Sequence, residues 1–188
     1  MTSEKQGPCY CHNWIAQSLD GYVATLDFSF SFLQAFEGVD YGYESFLKGI
    51  DVLVVGRTTY DQIVALESRW PYEGRTTYVV THREFVPAAD GPTVVPWMQG
   101  IQALIALLDA GAETQRHVWV IGGPAILKQF AEHDRIDQHS LFVMPVLLGA
   151  GIPLFPSPGP TPGLTFTSSR TFSNGVVELT YRRKTAQD

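Results

Sequence analysis

Two periods of apolar residues run along the chain. Val52-Leu53-Val54-Val55 and Val118-Trp119-Val120-Ile121 are short unbroken apolar runs ending at glycine. That is the pattern of parallel strands covered on both faces. Ile101, Leu104, Ile105 and Leu108 recur at i, i+3, i+4 and i+7 and predict a helix that ends at Gly111. Ile126, Leu127 and Phe130 predict another, entered through Gly122-Gly123-Pro124, where proline at the first helical position costs no hydrogen bond. Ile63 and Leu66 support a helix over residues 58–66, and residues 43–48 suit a shorter one with Asp40 near its start. Further strands are predicted over residues 10–16, 77–81, 93–95 and 140–146. Residues 17–24 read as a loop around Asp20-Gly21, and the proline- and glycine-rich 156–163 as a surface loop. Residues 165–171 and 176–182 form a hairpin through Ser173-Asn174-Gly175. The order predicts an α/β fold: one open, mostly parallel sheet flanked by helices, with an antiparallel C-terminal hairpin.

Composition narrows the partners. The 188 residues, 45% hydrophobic, suit one domain with a substantial core. A net charge of -6 on 17% charged residues, with no run of five like charges, argues against a nucleic-acid partner. Residues 1–8 do not resemble a signal peptide, and no apolar stretch nears the roughly 20 residues that span a bilayer. A cytoplasmic protein with a small-molecule partner and no membrane partner is expected. Cys9 and Cys11 make no disulfide framework; on a strand they share one face while His12 takes the other, so no metal is expected there.

The chemistry concentrates at strand ends. Ligands of open α/β sheets gather at the carboxyl ends of parallel strands, where Gly56, Thr81 and Gly122 all fall. Helix N-termini at that edge present free N–H groups and partial positive charge to phosphates, and glycine permits close approach. Arg57, Thr58 and Thr59 add a cation and hydroxyl donors. Arg83 suits the 2'-phosphate that separates NADPH from NADH, or is an ordinary solvated arginine. No Gly-x-Gly-x-x-Gly follows a strand, so the dinucleotide needs an α/β arrangement other than the Rossmann one.

Four motifs together resemble the dihydrofolate reductase-like superfamily, in particular the reductase domain of the bifunctional riboflavin biosynthesis enzyme and its stand-alone bacterial relatives. They are Ser18-Leu19-Asp20-Gly21-Tyr22-Val23-Ala24, Val55-Gly56-Arg57-Thr58-Thr59-Tyr60, Val120-Ile121-Gly122-Gly123-Pro124-Ala125-Ile126, and the segment from Pro145 to Phe155. The resemblance covers residues 10–182 and implies a three-layer α/β/α fold, NADPH as cofactor, and a homodimer. It implies that Ala16 and the 18–23 loop lie near the nicotinamide. Gly56, Arg57, Thr58, Gly122, Gly123 and Ile126, with Ile121 beside them, would contact the phosphate side, and Thr81 and Arg83 the adenosine ribose. The Gly122-Gly123 bond resembles one that is cis in dihydrofolate reductases. Tyr22 stands where riboflavin-type reductases commonly carry a basic residue suited to a phosphorylated substrate.

Hydride transfer to a C=N or C=O bond needs a proton. Asp40 lies sixteen residues before Gly56, the spacing at which dihydrofolate reductases place their pterin-binding acid; otherwise it is a helix cap. Asp20 is the second candidate, or simply a turn residue. Tyr43, Phe46, Trp70 and Trp97 either stack on a planar substrate or serve the core. The expected activity is reduction of a pyrimidine- or pterin-like heterocycle by NADPH, resembling 5-amino-6-(5-phosphoribosylamino)uracil reductase. A dihydrofolate reductase and a non-catalytic dinucleotide-binding protein are the alternatives.

Overall fold

The computed structural model describes residues 9–72, 74–87, 93–110 and 115–184. Its strands are β1 (Cys9–Ser18), β2 (Tyr22–Ala24), β3 (Val52–Gly56), β4 (Thr76–Val80), β5 (Val94–Trp97), β6 (Arg116–Gly122), β7 (Gln138–Met144), β8 (Ile152–Pro153), β9 (Leu164–Thr171) and β10 (Val177–Arg183). The helices are α1 (Tyr43–Lys48), α2 (Arg57–Glu67), α3 (Ile101–Asp109) and α4 (Pro124–Glu132), with a 3-10 helix at Ser31–Phe36. The predicted helix end at Gly111 and residues 1–8 lie outside the described residues.

Eight strands form one sheet in the order β5-β4-β3-β6-β1-β7-β10-β9, parallel from β5 to β7 and antiparallel through the C-terminal pair. From β1 the chain steps across to β3 and outward through β4 and β5. It then returns with β6 to pair one side of β1, and β7 pairs the other. The reversal around β1 opens a crevice at the carboxyl ends of β1, β3 and β6, where an open α/β sheet binds its ligands.

β3 reads as an unbroken apolar run because it is covered on both faces: Leu53, Val54 and Val55 are fully buried. On one face Val54, Val118 and Val120 pack with Ile101, Leu104 and Leu108 of α3 and with Ile126, Leu127 and Phe130 of α4. On the other, Leu53, Val55 and Trp119 pack with Tyr60 of α2, Trp70 and Tyr72, and with Tyr43 and Phe46 of α1. Each fully buried Leu, Val or Phe contributes about 1.5–3 kcal/mol through removal from water, so the three layers hold together chiefly by these two interfaces. Cys9 and Cys11 face the α3/α4 core, while His12 faces His117 and Phe46 on the opposite side.

Two elements go beyond the sequence expectation. Residues 17–24 are not loop throughout: β1 runs on to Ser18, and β2 pairs with β8 in a separate two-stranded sheet. Such short strands carry too few residues for a periodic signal. The 3-10 helix at Ser31–Phe36 was likewise silent. No helix among the described residues is long and apolar enough to cross a membrane.

Candidate active site

A cleft of about 890 Å³ opens at the carboxyl edge of the sheet. One side is built by two strand-to-helix turns. β3 passes into α2 at Gly56, and β6 passes into α4 at Gly122-Gly123, whose peptide bond is cis. Gly56 and Gly123 are the helix N-caps, and neither helix has a side-chain cap hydrogen bond. The first-turn N–H groups of both helices therefore have no side-chain acceptor at the cap, the condition for an anion site.

Glycine is favoured here by proximity. A Cβ on Gly56 would stand 3.0 Å from Ile126 Cγ1 and 3.5 Å from the Gly123 nitrogen; one on Gly123 would stand 3.1 Å from Thr59 Oγ1. The two turns touch, and a Cβ at either glycine would fit only if the neighbouring side chain gave way by a few tenths of an ångström. Gly122, at φ +119°, occupies backbone space that L side chains rarely adopt.

The rim beyond the turns is cationic. Arg57 donates from Nε to both carboxylate oxygens of Asp61 at 2.7 Å, and its guanidinium lies 4.1 Å from the centre of the Phe85 ring. Arg83 is exposed, on a bend that follows β4. The Thr81 hydroxyl accepts from the Arg83 amide at 3.1 Å and donates to the Arg83 carbonyl at 2.9 Å, so it shapes this bend.

The opposite side of the cleft is apolar and largely aromatic: Trp14 and Ala16 from β1, Phe28 and Phe30 from the connection after β2, Leu33, Ile63, Tyr72 and Trp119. Trp14 is fixed from behind by a near-parallel stack on Phe46, 5.2 Å between centroids at 13°, and by Phe142 at 4.4 Å. Tyr72 has its phenol pKa pushed up by burial and by its hydrogen bond with Tyr43, so it remains protonated.

The last sequence motif closes the edge of the cleft. Asp20 accepts from the amides of Gly149 at 2.7 Å and Leu148 at 3.2 Å and from the Ser18 hydroxyl at 2.6 Å. Leu154 donates to the Gly21 carbonyl, and Leu19 to the Val146 carbonyl. A Cβ on Gly151 would collide with the Ala24 carbonyl oxygen, which explains glycine there. Residues 145–155 thus strap the 18–24 segment in place, and Val23, Ala24, Ile152 and Pro153 line the cleft together.

Of the residues expected at the cofactor, Ala16, Gly56, Arg57, Thr58, Thr81, Arg83, Ile121, Gly123 and Ile126 line the cleft; Gly122 stands just behind, in the turn. The two acids do not. Asp40 is exposed and accepts from the Gly42 amide at 2.8 Å, leading the chain into α1. Asp20 is exposed, and the Ser18 hydroxyl, followed by the Gly149 and Leu148 amides, holds its pKa below the usual carboxylate value. An acid so stabilised as carboxylate is a poor proton donor. In this structure both carboxylates hold backbone, outside the cleft lining. No Asp or Glu is among the described residues lining the cleft.

The four aromatics considered for stacking also stand elsewhere. Trp70 is fully buried, Tyr43 and Phe46 back the wall behind Trp14 and Trp119, and Trp97 bonds the Gly100 carbonyl. Trp14, Phe28, Phe30 and Trp119 form the wall instead. Only strand alternation, placing Trp14 and Ala16 on one face and Trp119 and Ile121 on the matching face, could have singled out two of them.

Comparison with known proteins agrees with this geometry. The family model described as the RibD C-terminal domain matches residues 13–178. The chain belongs to the RibD C-terminal domain family. Members of this family are reductases. The uncharacterized protein YwjB of Bacillus subtilis (strain 168) is 36% identical over 143 residues, 76% of this chain and 80% of YwjB. A protein of Shewanella sp. PV-4, described as a candidate riboflavin biosynthesis protein, superposes with a TM-score of 0.82 at 28% identity, covering 94% of this chain and 99% of its own. Dihydrofolate reductase from Enterococcus faecalis, solved with NADP(H), superposes with a TM-score of 0.59 at 18% identity, covering 95% of this chain and 98% of its own. That last likeness is one of fold: the three-layer dihydrofolate reductase-like arrangement is shared. Tyr22 belongs to β2 and is not among the residues lining the cleft.

Proposed function

We propose that this protein is an NADPH-dependent reductase of a flat, pyrimidine- or pterin-like heterocycle. The observation that carries the reading is the contact between two glycine turns, which sets two helix N-termini without side-chain caps side by side at the cleft edge. One such terminus suits one phosphate, and an adjacent pair suits a diphosphate. The Gly56–Thr59 and Gly123–Ile126 turns would hold that diphosphate, and Arg83 would take the 2'-phosphate of NADPH in preference to NADH. When bound, the nicotinamide supplies a hydride.

The chain's own residues do the rest by positioning. Trp14, Ile63, Phe28 and Leu33 give a flat substrate an apolar wall that excludes water from its faces. Calorimetric titration with NADPH and NADH tests the reading. Micromolar NADPH binding with weaker NADH binding is expected; no binding of either at millimolar concentration would reject it.

A further inference from the structure

We propose that this protein pairs with a second copy of itself, face to face, through the apolar side of the β7-β10-β9 end of its sheet. The proposal is independent of what the cleft binds.

Strand register decides which side chains share that side. Val143 of β7 stands opposite Val177 of β10, and Leu141 opposite Leu179. Tyr181 stands between His139 of β7 and Phe166 of β9, and Arg183 opposite Leu164. Directly opposed residues point to one side of a sheet and so do alternate residues along a strand, so these rows make a single face. A register shift beside Thr180 and Tyr181 resets the alternation of β9 between Phe166 and Ser168. The reverse face of the hairpin is polar: Thr165, Ser168 and Arg170 lie opposite Arg182, Thr180 and Glu178. The hairpin is therefore amphipathic.

An amphipathic hairpin sets its apolar side on a core. This one has no layer to meet. The apolar rows lie on the α3/α4 side, because Leu141 packs against that core, whereas its neighbours Phe142 and Met144 pack with Phe32, Leu33 and Phe36 on the reverse side. Yet α3 and α4 cover β3 and β6, and every described element after α4 is a strand, so no helix is supplied for β10 and β9. Phe166 is 56% and Leu164 40% exposed, Val143, Val177, Leu179 and Tyr181 are half-buried, and no residue of β9 is buried. Phe155, 58% exposed and edge-on to His139 at 6.0 Å, carries the apolar surface past β7. A contiguous patch of this kind marks a protein interaction surface.

Charge selects the occupant. The rows hold no Asp, Glu or Lys, and Arg183 at their end is paired with Asp134 and Asp137. A basic or acidic partner gains nothing from such a face. Its complement is another apolar sheet face of the same twist, stacked about 10 Å away, and the chain carries one. At a net charge of -6, two copies meet most readily through a surface without acids. Two-fold packing then sets Leu179, in the middle row of the middle strand, near its own counterpart.

Sedimentation equilibrium of the full chain tests the proposal. Twice the mass of one chain is expected, with a dissociation constant of about 1 µM or below. Phe166→Glu, at an exposed position that tolerates charge in the single chain, should weaken the dimer about 100-fold, and Leu179→Arg should leave monomer up to about 100 µM. Ser168→Arg, on the polar face of the same strand, should leave the dimer intact. Leu179→Arg can also cost the fold, so the unaltered chain supplies a second measurement: a mixture of isotope-labelled and unlabelled copies should show intermolecular NOEs to the Leu179 methyl groups. A chain that stays monomeric at about 100 µM leaves this face to solvent or to another protein and overturns the proposal. So does a dimer that Phe166→Glu does not weaken, one that Ser168→Arg weakens equally, or the absence of intermolecular NOEs at Leu179.

Discussion

The two sides of the cleft are made in different ways. The side proposed for phosphate is assembled from two contiguous turns, Gly56–Thr59 and Gly123–Ile126, each a strand end and a helix start a few residues long. The ring side draws Trp14, Phe28, Leu33, Ile63, Tyr72 and Trp119 from six separate places in the chain. The first works through backbone: N–H groups, missing Cβ atoms and helix dipoles. The second works through side-chain surface held by packing behind it. Backbone devices are indifferent to most substitutions except those at glycine, whereas the wall depends on each large side chain and on its support.

The largest effect should come from the wall. Trp14→Ala removes a ring that packs on Phe46 and Phe142 at once and opens a cavity between three core elements. We expect about 3 kcal/mol of lost stability in urea unfolding, at the low end for aromatic truncation because Trp14 is only half-buried. Ring-ligand affinity should vanish while NADPH still binds to the folded fraction. If NADPH affinity fell in proportion, the two sides would not be separable.

Gly56→Val makes the converse break. The new side chain would start 3.0 Å from Ile126 Cγ1 and press on the Gly123 amide, parting the two turns. NADPH affinity should fall about 100-fold, equivalent to about 2.7 kcal/mol, with the wall and its ring ligand untouched. Retained NADPH affinity would mean that the turns need not touch.

The same division decides how much the sequence disclosed. A glycine turn after a buried strand is a local word, so Gly56, Gly123 and their neighbours could be found without knowing the fold. The sheet too was legible, since fully covered strands and one-sided helices have different periods. The wall was not: Phe28 and Phe30 sit in an irregular connection, and nothing local separates a cleft aromatic from a core one. Trp70 and Trp119 are both buried tryptophans; that Trp119 also lines the cleft is a tertiary fact. Asp20 and Asp40 are ambiguous in the sequence for a related reason. Carboxylates near glycines suit catalysis and backbone capping alike, and their acceptor bonds to Gly42, Leu148 and Gly149 are again tertiary facts.

Acid should sharpen the contrast from beneath the wall. His12, which packs on Phe46 behind Trp14, has its pKa lowered to about 4 by burial and by neighbouring His117; His139 is lowered to about 4 by burial alone. Both folded values lie below the unfolded 6.5, so between pH 6.5 and pH 4 the unfolded chain holds protons that the folded one refuses. Stability is fully present above pH 6.5 and falls as pH drops through this window. The expected loss between pH 7 and pH 5 is about 2 kcal/mol for each histidine at most. Urea unfolding at the two pH values reads it, and His12→Phe should remove part of the slope. A flat profile would show that the wall's underside tolerates charge.

The smallest effect tests the outer edge of the phosphate side. Arg83 is exposed, and the Thr81 hydroxyl fixes only its backbone, so its side chain reaches a ligand through solvent. A charge-assisted bond made there is weakened by screening, and its loss should cost about tenfold in affinity, or about 1.4 kcal/mol. Arg83→Ser should therefore weaken NADPH by that factor and leave NADH unchanged, read as the ratio of the two dissociation constants at low and high salt. The ratio should also shrink in the wild type as salt rises, because the preference rests on a single exposed charge and the proposed diphosphate contacts rest on backbone N–H groups. If Arg83→Ser weakened both dinucleotides equally, Arg83 would belong with the turns as a general phosphate contact, and the division of the cleft would lie between backbone and side chain only at the wall.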